Sequence, residues 1–113
     1  MNILLNKHVS LLTIRIYSGL FMLLFHGLPK LQNYSAISNR FADPFGLGPA
    51  FSLALVIFAE VFCALLVLFG IAVRASAIPL IITMLVAVLI IHGDDPMDKK
   101  ELAISYLFCY LAL

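Results

Sequence analysis

The stretch AFSLALVIFAEVFCALLVLF, residues 50–69, decides the fold. Pro49 precedes it, Gly70 follows it, and Glu60 is its one charged residue. A helix crosses the hydrocarbon core of a bilayer with about 20 apolar residues, and about 17 is the lower limit. The run meets that length. It lacks the alternation of a barrel strand, and unpaired backbone is too costly in lipid, so it reads as a membrane-spanning helix.

Three further apolar runs surround it. The first covers residues 9–28 and ends at Gly27 and Pro29; the third covers 75–92; the fourth covers 101–113. The fourth offers 13 residues, or about 20 Å of helix, which is short for a crossing. The expectation is that the native helix continues further, and an intact-mass measurement tests it. Lys7 before the first run resembles a signal peptide, but Arg15 interrupts the run and no small-residue cleavage site follows, so a retained first helix is expected.

Composition agrees. Apolar residues make up 64% of the 113-residue chain and charged residues 12%, against roughly 45–50% apolar in soluble domains. A particle this small cannot hide so much apolar surface from water. The net charge of +1 gives no reason to expect nucleic acid. The expected fold is therefore all-α: a single domain, residues 1–113, forming a four-transmembrane-helix bundle in a lipid bilayer. With four spans both termini share one side, here the terminal side; Lys30, Arg40, Lys99 and Lys100 fall on the far side with Asp43, Asp94, Asp95 and Asp98, which leaves orientation open. In the long first loop, residues 29–49, Leu31, Tyr34, Phe41 and Phe45 recur at roughly helical spacing. They read either as a short interfacial helix or lid, or as an irregular loop with aromatic anchors.

The chemistry rests on ionisable residues within the apolar runs, which are rare in spans and face the bundle interior. They are Arg15, His26, Glu60, His92 and Glu101. Counting depth at ~1.5 Å per residue brings His26, His92 and Glu101 together at the far side, near Lys30 and Asp43, with Glu60 near the midplane. Arg15, Ser18, Gly19, Met22 and His26 fall on or near one stripe; Glu60 aligns with Cys63, Ala64 and Val67; Glu101 aligns with Ser105 and Cys109. Arg15 and Glu60 differ in estimated depth by about 6 Å, so an Arg15–Glu60 ion pair is expected. His26, Glu60, His92 and Glu101 are the candidate catalytic residues. A metal centre is not expected, because no HxxxH or HxxE pair occurs on these helices. There is no CxxC for thiol exchange, and Cys63 and Cys109 read as buried thiols.

Taken in order, these features carry a resemblance. Arg15-Ile16 through His26-Gly27-Leu28-Pro29-Lys30, then Phe45-Gly46-Leu47 with Pro49, Glu60, Gly70 and Arg74, His92, and Glu101 resemble the DoxX family of small bacterial membrane proteins. The resemblance runs from about Leu12 to Leu113 and departs from the family only at the C-terminus. It implies a four-helix bundle in the bacterial cytoplasmic membrane. The founding member is the small subunit of a thiosulfate:quinone oxidoreductase, so the resemblance also implies quinone-linked redox work with a partner subunit, or else a homo-oligomer. In that reading His26, Lys30, His92 and Glu101 hold a quinone head group. The alternatives are a non-catalytic membrane anchor or assembly partner, and a small-molecule or lipid carrier.

Overall fold

The computed structural model describes residues 2–113, and among them every regular element is helical. The first helix, α1, runs over Ile3–Gln32. After a single-turn helix α2 (Tyr34–Ile37) come α3 (Pro49–Phe69), α4 (Val73–Ile91) and α5 (Met97–Ala112). Three of them, α1, α3 and α4, are long and apolar enough to cross a membrane. The fourth long helix, α5, packs beside them but has 16 residues, about 24 Å, and is not shown to span. The outer surface carries Phe25, Phe51, Phe62, Ile78, Leu89 and Phe108, each at least half exposed. In water such a surface would aggregate; in a bilayer it is solvated.

The ends of the helices follow local chemistry. Asn2 opens α1 by accepting the Leu5 N–H with its side chain at 2.8 Å. Pro49 starts α3, where the missing N–H has no helical partner to lose, after Gly48 at φ 102°. At the other end of α3, Gly70 takes φ 75°, and the Ile71 N–H reaches back to the Leu66 carbonyl. The fourth helix begins at Met97 after Pro96, four residues before the expected start at Glu101.

Pro29 does not end the first helix, which continues through it to Gln32. The preceding stretch Leu23–Gly27 winds as a π turn. A π turn redirects the backbone hydrogen bonds, which relieves the clash a proline makes with the carbonyl four residues back. Three more π stretches lie at Ile16–Phe21, Phe58–Cys63 and Ala87–Ile91. Lys30 is thereby a helix residue rather than a loop residue, one turn beyond His26.

The bundle is held by small residues and a tyrosine cluster. A Cβ on Gly27 would collide with the Glu60 backbone, and one on Gly19 would lie 2.9 Å from Leu68 Cβ. α1 and α3 are therefore antiparallel with Gly27 opposite Glu60 and Gly19 opposite Leu68, an approach that only glycine permits. The expected interior stripes agree with this packing: Ser18, Gly19 and Met22 on α1 and Glu60, Cys63, Ala64 and Val67 on α3 are buried. α5 docks on α1 through Tyr106, stacked on Tyr17 at 5.2 Å, and through Tyr110, whose hydroxyl donates to the Ser18 carbonyl at 2.8 Å.

This register has a second effect. Beyond the Gly27–Glu60 crossing α1 continues for five residues, whereas α3 extends eleven residues to Pro49. The difference is about 9 Å of α3 left uncovered. The first loop folds over it. α2 supplies a single helical turn and the rest is irregular, so the loop combines the two readings open from the sequence.

Candidate functional site

Lys30 reaches from the last turns of α1 to Glu60 in the middle of α3. Its Nζ lies 2.6 Å from Glu60 Oε1, and the Glu60 side chain is only 4% exposed. The expected Arg15–Glu60 pair is not formed. Arg15 lies instead at the C-terminal end of α3, where its Nε donates to the Val67 carbonyl and its Nη2 to the Leu68 carbonyl, each at 3.1 Å. The cause is the glycine register. It sets Gly27, not Arg15, at the level of Glu60, and seven or eight residues of α3, about 10–12 Å, separate Glu60 from the carbonyls that Arg15 holds. A cation at a helix C-terminus is well placed, since the last carbonyls there have no intrahelical donors. Gly70 serves this contact twice: it supplies the positive φ, and a Cβ there would strike the Arg15 guanidinium.

Two cavities flank the Lys30–Glu60 pair, and Lys30, Glu60, Met84, Ala87 and His92 line both. The smaller, about 210 Å³, adds Met22 and His26 from α1 and Lys99, Leu102, Ala103 and Tyr106 from α5. The larger, about 320 Å³, lies under the first loop and is otherwise mostly apolar, with Phe41, Phe45, Leu55, Val56, Ile82 and Val86 among its walls. His26 sits edge-on to the Tyr106 ring at 5.4 Å. His92, just past α4, faces both cavities and holds Asp95 Oδ2 through Nδ1 at 2.8 Å.

Of the four candidate catalytic residues, the structure gathers His26, Glu60 and His92 around one ion pair. Glu101 is not with them: it is exposed and lines neither cavity. On α5 the cavity face carries Lys99, Leu102, Ala103 and Tyr106, and Glu101 lies two residues, about 200°, round the helix from Lys99. Because α5 starts at Met97, Lys99 replaces Glu101 as its charged contribution. Among the described residues no three His, Cys, Asp or Glu side chains gather into a metal-holding group. Cys63 and Cys109 are both free thiols.

Tyr106, Lys99 and the partnership of Lys30 with Glu60 were not legible beforehand. The available signal for Tyr106 was its i,i+4 spacing with Tyr110 on the last helix. The signal for Lys30 was its i,i+4 spacing with His26, usable only once Pro29 is accepted inside the helix.

The first loop is pinned by one carboxylate. Asp43 Oδ1 accepts from the Leu47 N–H and the Ser52 hydroxyl, and Oδ2 from the Gly48 N–H, all at 2.9 Å. Ser52 belongs to the first turn of α3, so Asp43 fastens the loop to that helix. Desolvation pushes the Asp43 carboxyl up, but the hydrogen bonds from Gly48, Ser52, Leu47 and Gly46 outweigh it and hold the pKa below its ordinary value.

The DoxX family model matches residues 10–93. The chain belongs to the DoxX family. It is a multi-pass membrane protein with apolar helices in contact with lipid. The match includes Arg15, His26, Lys30, Glu60 and His92 and stops before α5, so the α5 wall of the smaller cavity lies beyond the DoxX segment. No curated protein and no solved structure matches the chain.

Proposed function

We propose that this DoxX protein is the membrane component of a quinone-linked oxidoreductase complex in the bacterial cytoplasmic membrane, with the quinone head group in the smaller cavity and α5 as a fourth span. One observation carries this reading: His26 and Lys30 from α1, Glu60 from α3 and His92 at the end of α4 converge on one cavity of a lipid-facing bundle. Quinone reduction takes up two electrons and two protons. Lys30 and the two histidines are donors suited to the carbonyl oxygens, and histidine and carboxylate side chains are suited to moving protons. No dinucleotide, haem-attachment or CxxC motif occurs in the sequence, so in this reading a partner subunit supplies the electrons.

The test is purification from native membranes, followed by quinone extraction and quinol-dependent difference spectra. Bound quinone that is lost in a His26→Ala, His92→Ala double variant supports the proposal. A preparation without quinone, with partner capture unchanged by the double variant, supports a non-catalytic anchor instead.

A further inference from the structure

The larger cavity has a different chemistry from the site just described. Lys30 and Glu60 neutralise one another at its inner end, and His92 is the one other titratable group in its walls. A ligand bringing net charge would leave that charge uncompensated among apolar walls, at a steep desolvation penalty. The occupant is therefore neutral. Its body is apolar, to match Phe41, Phe45, Leu55, Val56, Ile82 and Val86.

Its head group is set by the ion pair. An ammonium has three N–H donors, and Lys30 uses one of them on Glu60 Oε1. Glu60 Oε2 carries no hydrogen bond among the described residues, and no fully buried side-chain polar atom among them is left unpartnered, so Oε2 is accessible on a residue that lines both cavities. One group that accepts from Lys30 and donates to Glu60 completes both. A hydroxyl does this; an ether or ketone oxygen can only accept.

We propose that the larger cavity binds a neutral hydroxyl-bearing amphiphile, an alkyl phenol or long-chain alcohol, with its head on the Lys30–Glu60 pair and its body under the first loop. The site does not depend on the redox reading, because it occupies the other cavity and needs no electron transfer.

The full chain in nanodiscs, titrated with para-octylphenol, its methyl ether para-octylanisole, and dodecanol, tests the proposal. The expected result is that a hydroxyl probe outbinds the ether by about tenfold, the scale of a hydrogen bond to a charged group. Glu60→Gln should shrink that preference. Val56→Phe, which narrows the cavity and keeps both members of the pair, should weaken all three probes. Equal binding of phenol and ether to the wild-type chain overturns the proposal, as does a Val56→Phe variant that binds like wild type. If Glu60→Gln does not fold, the wild-type ratio and Val56→Phe still decide. None of these measurements reads quinone content, so a quinone-free preparation would sink the redox reading and leave this one standing.

Discussion

Lys30 Nζ and Glu60 Oε1 are 2.6 Å apart although they lie 30 residues apart in sequence and on different helices. The pair ties the end of α1 to the middle of α3 and lines both cavities. Truncating one partner of a buried pair leaves a charge without compensation, at about 3–5 kcal/mol. Lys30→Met and Glu60→Leu should each destabilise by that order in denaturant titrations in detergent. The double variant should recover much of the loss, because it leaves no orphan charge. A double variant as unstable as the sum of the two singles would show that the pair is not coupled.

Arg15 should behave as a helix cap and not as a partner of Glu60. Arg15→Ala should cost about 1.5–3 kcal/mol, the scale of charged hydrogen bonds to the Val67 and Leu68 carbonyls. Exchanging the two residues, Arg15→Glu with Glu60→Arg, should give no rescue over the single variants. Thermal melts of the three variants check this, and a rescued double variant would restore the discarded pairing.

The glycine register makes a graded series. Gly27→Ala meets α3 backbone and should separate α1 from α3, weakening the Lys30–Glu60 contact as well as the fold. Gly46 has φ 71° but nothing within 4 Å of an added Cβ, so Gly46→Ala should cost only the backbone penalty of about 1–2 kcal/mol. Unfolding midpoints for the two variants, with Gly27→Ala clearly the worse, are the expected outcome.

Asp43 makes the loop sensitive to acid. Its folded-state pKa lies below the ordinary value of 3.8, so the latch contributes its full stability above the unfolded value. That stability is lost as pH falls through the lower, folded value. Limited proteolysis between Phe41 and Leu47 should accelerate in that acid window. Asp43→Asn should accelerate it at neutral pH, because an amide nitrogen cannot accept an N–H. Cleavage unchanged in both cases would mean that the loop is fastened elsewhere.

Glu101 is the control. Exposed and away from both cavities, Glu101→Gln should change stability by less than about 0.5 kcal/mol. It should also leave any bound quinone in place. A loss of quinone on this change alone would return Glu101 to the site.

Much of this architecture is legible in the sequence, for physical reasons that also mark where it stops being so. The α3 span is readable from its unbroken apolar run between Pro49 and Gly70. The interior faces of α1 and α3 are readable because Ser18, Gly19, Met22 and Glu60, Cys63, Ala64 each share a stripe. The partners across helices are not, because they depend on axial register. That register is set by the contacts of Gly19 and Gly27, and single-helix counting from an assumed membrane surface missed it. Ending α1 at Pro29 puts Lys30 in the loop beside His26 and conceals its reach to Glu60, and starting α5 at Glu101 leaves Lys99 off the helix. The latch is not readable for another reason: Asp43 accepts two backbone N–H bonds, which no sequence pattern marks, and its one side-chain partner, Ser52, lies across the loop on α3.

The π turns have a consequence for anyone altering or aligning this chain. Leu23–Gly27 holds His26, Phe58–Cys63 holds Glu60, and Ala87–Ile91 ends beside His92. Each widened turn accommodates one residue more in its hydrogen-bonded ring than an α turn does. Removing a single residue from such a turn is therefore a distinct kind of edit from a substitution. The helix can close up as regular α while everything beyond the deletion keeps its own side chains and pitch. Because the widened turn already absorbs the extra residue, closing it up keeps the two halves near their present phase, whereas the same deletion in a regular α stretch would rotate one half by about 100° against the other. A one-residue gap at Phe58–Cys63 that spares Glu60 would leave α3 long and apolar enough to span and both of its halves toward their present neighbours, while a gap in its regular α turns would not.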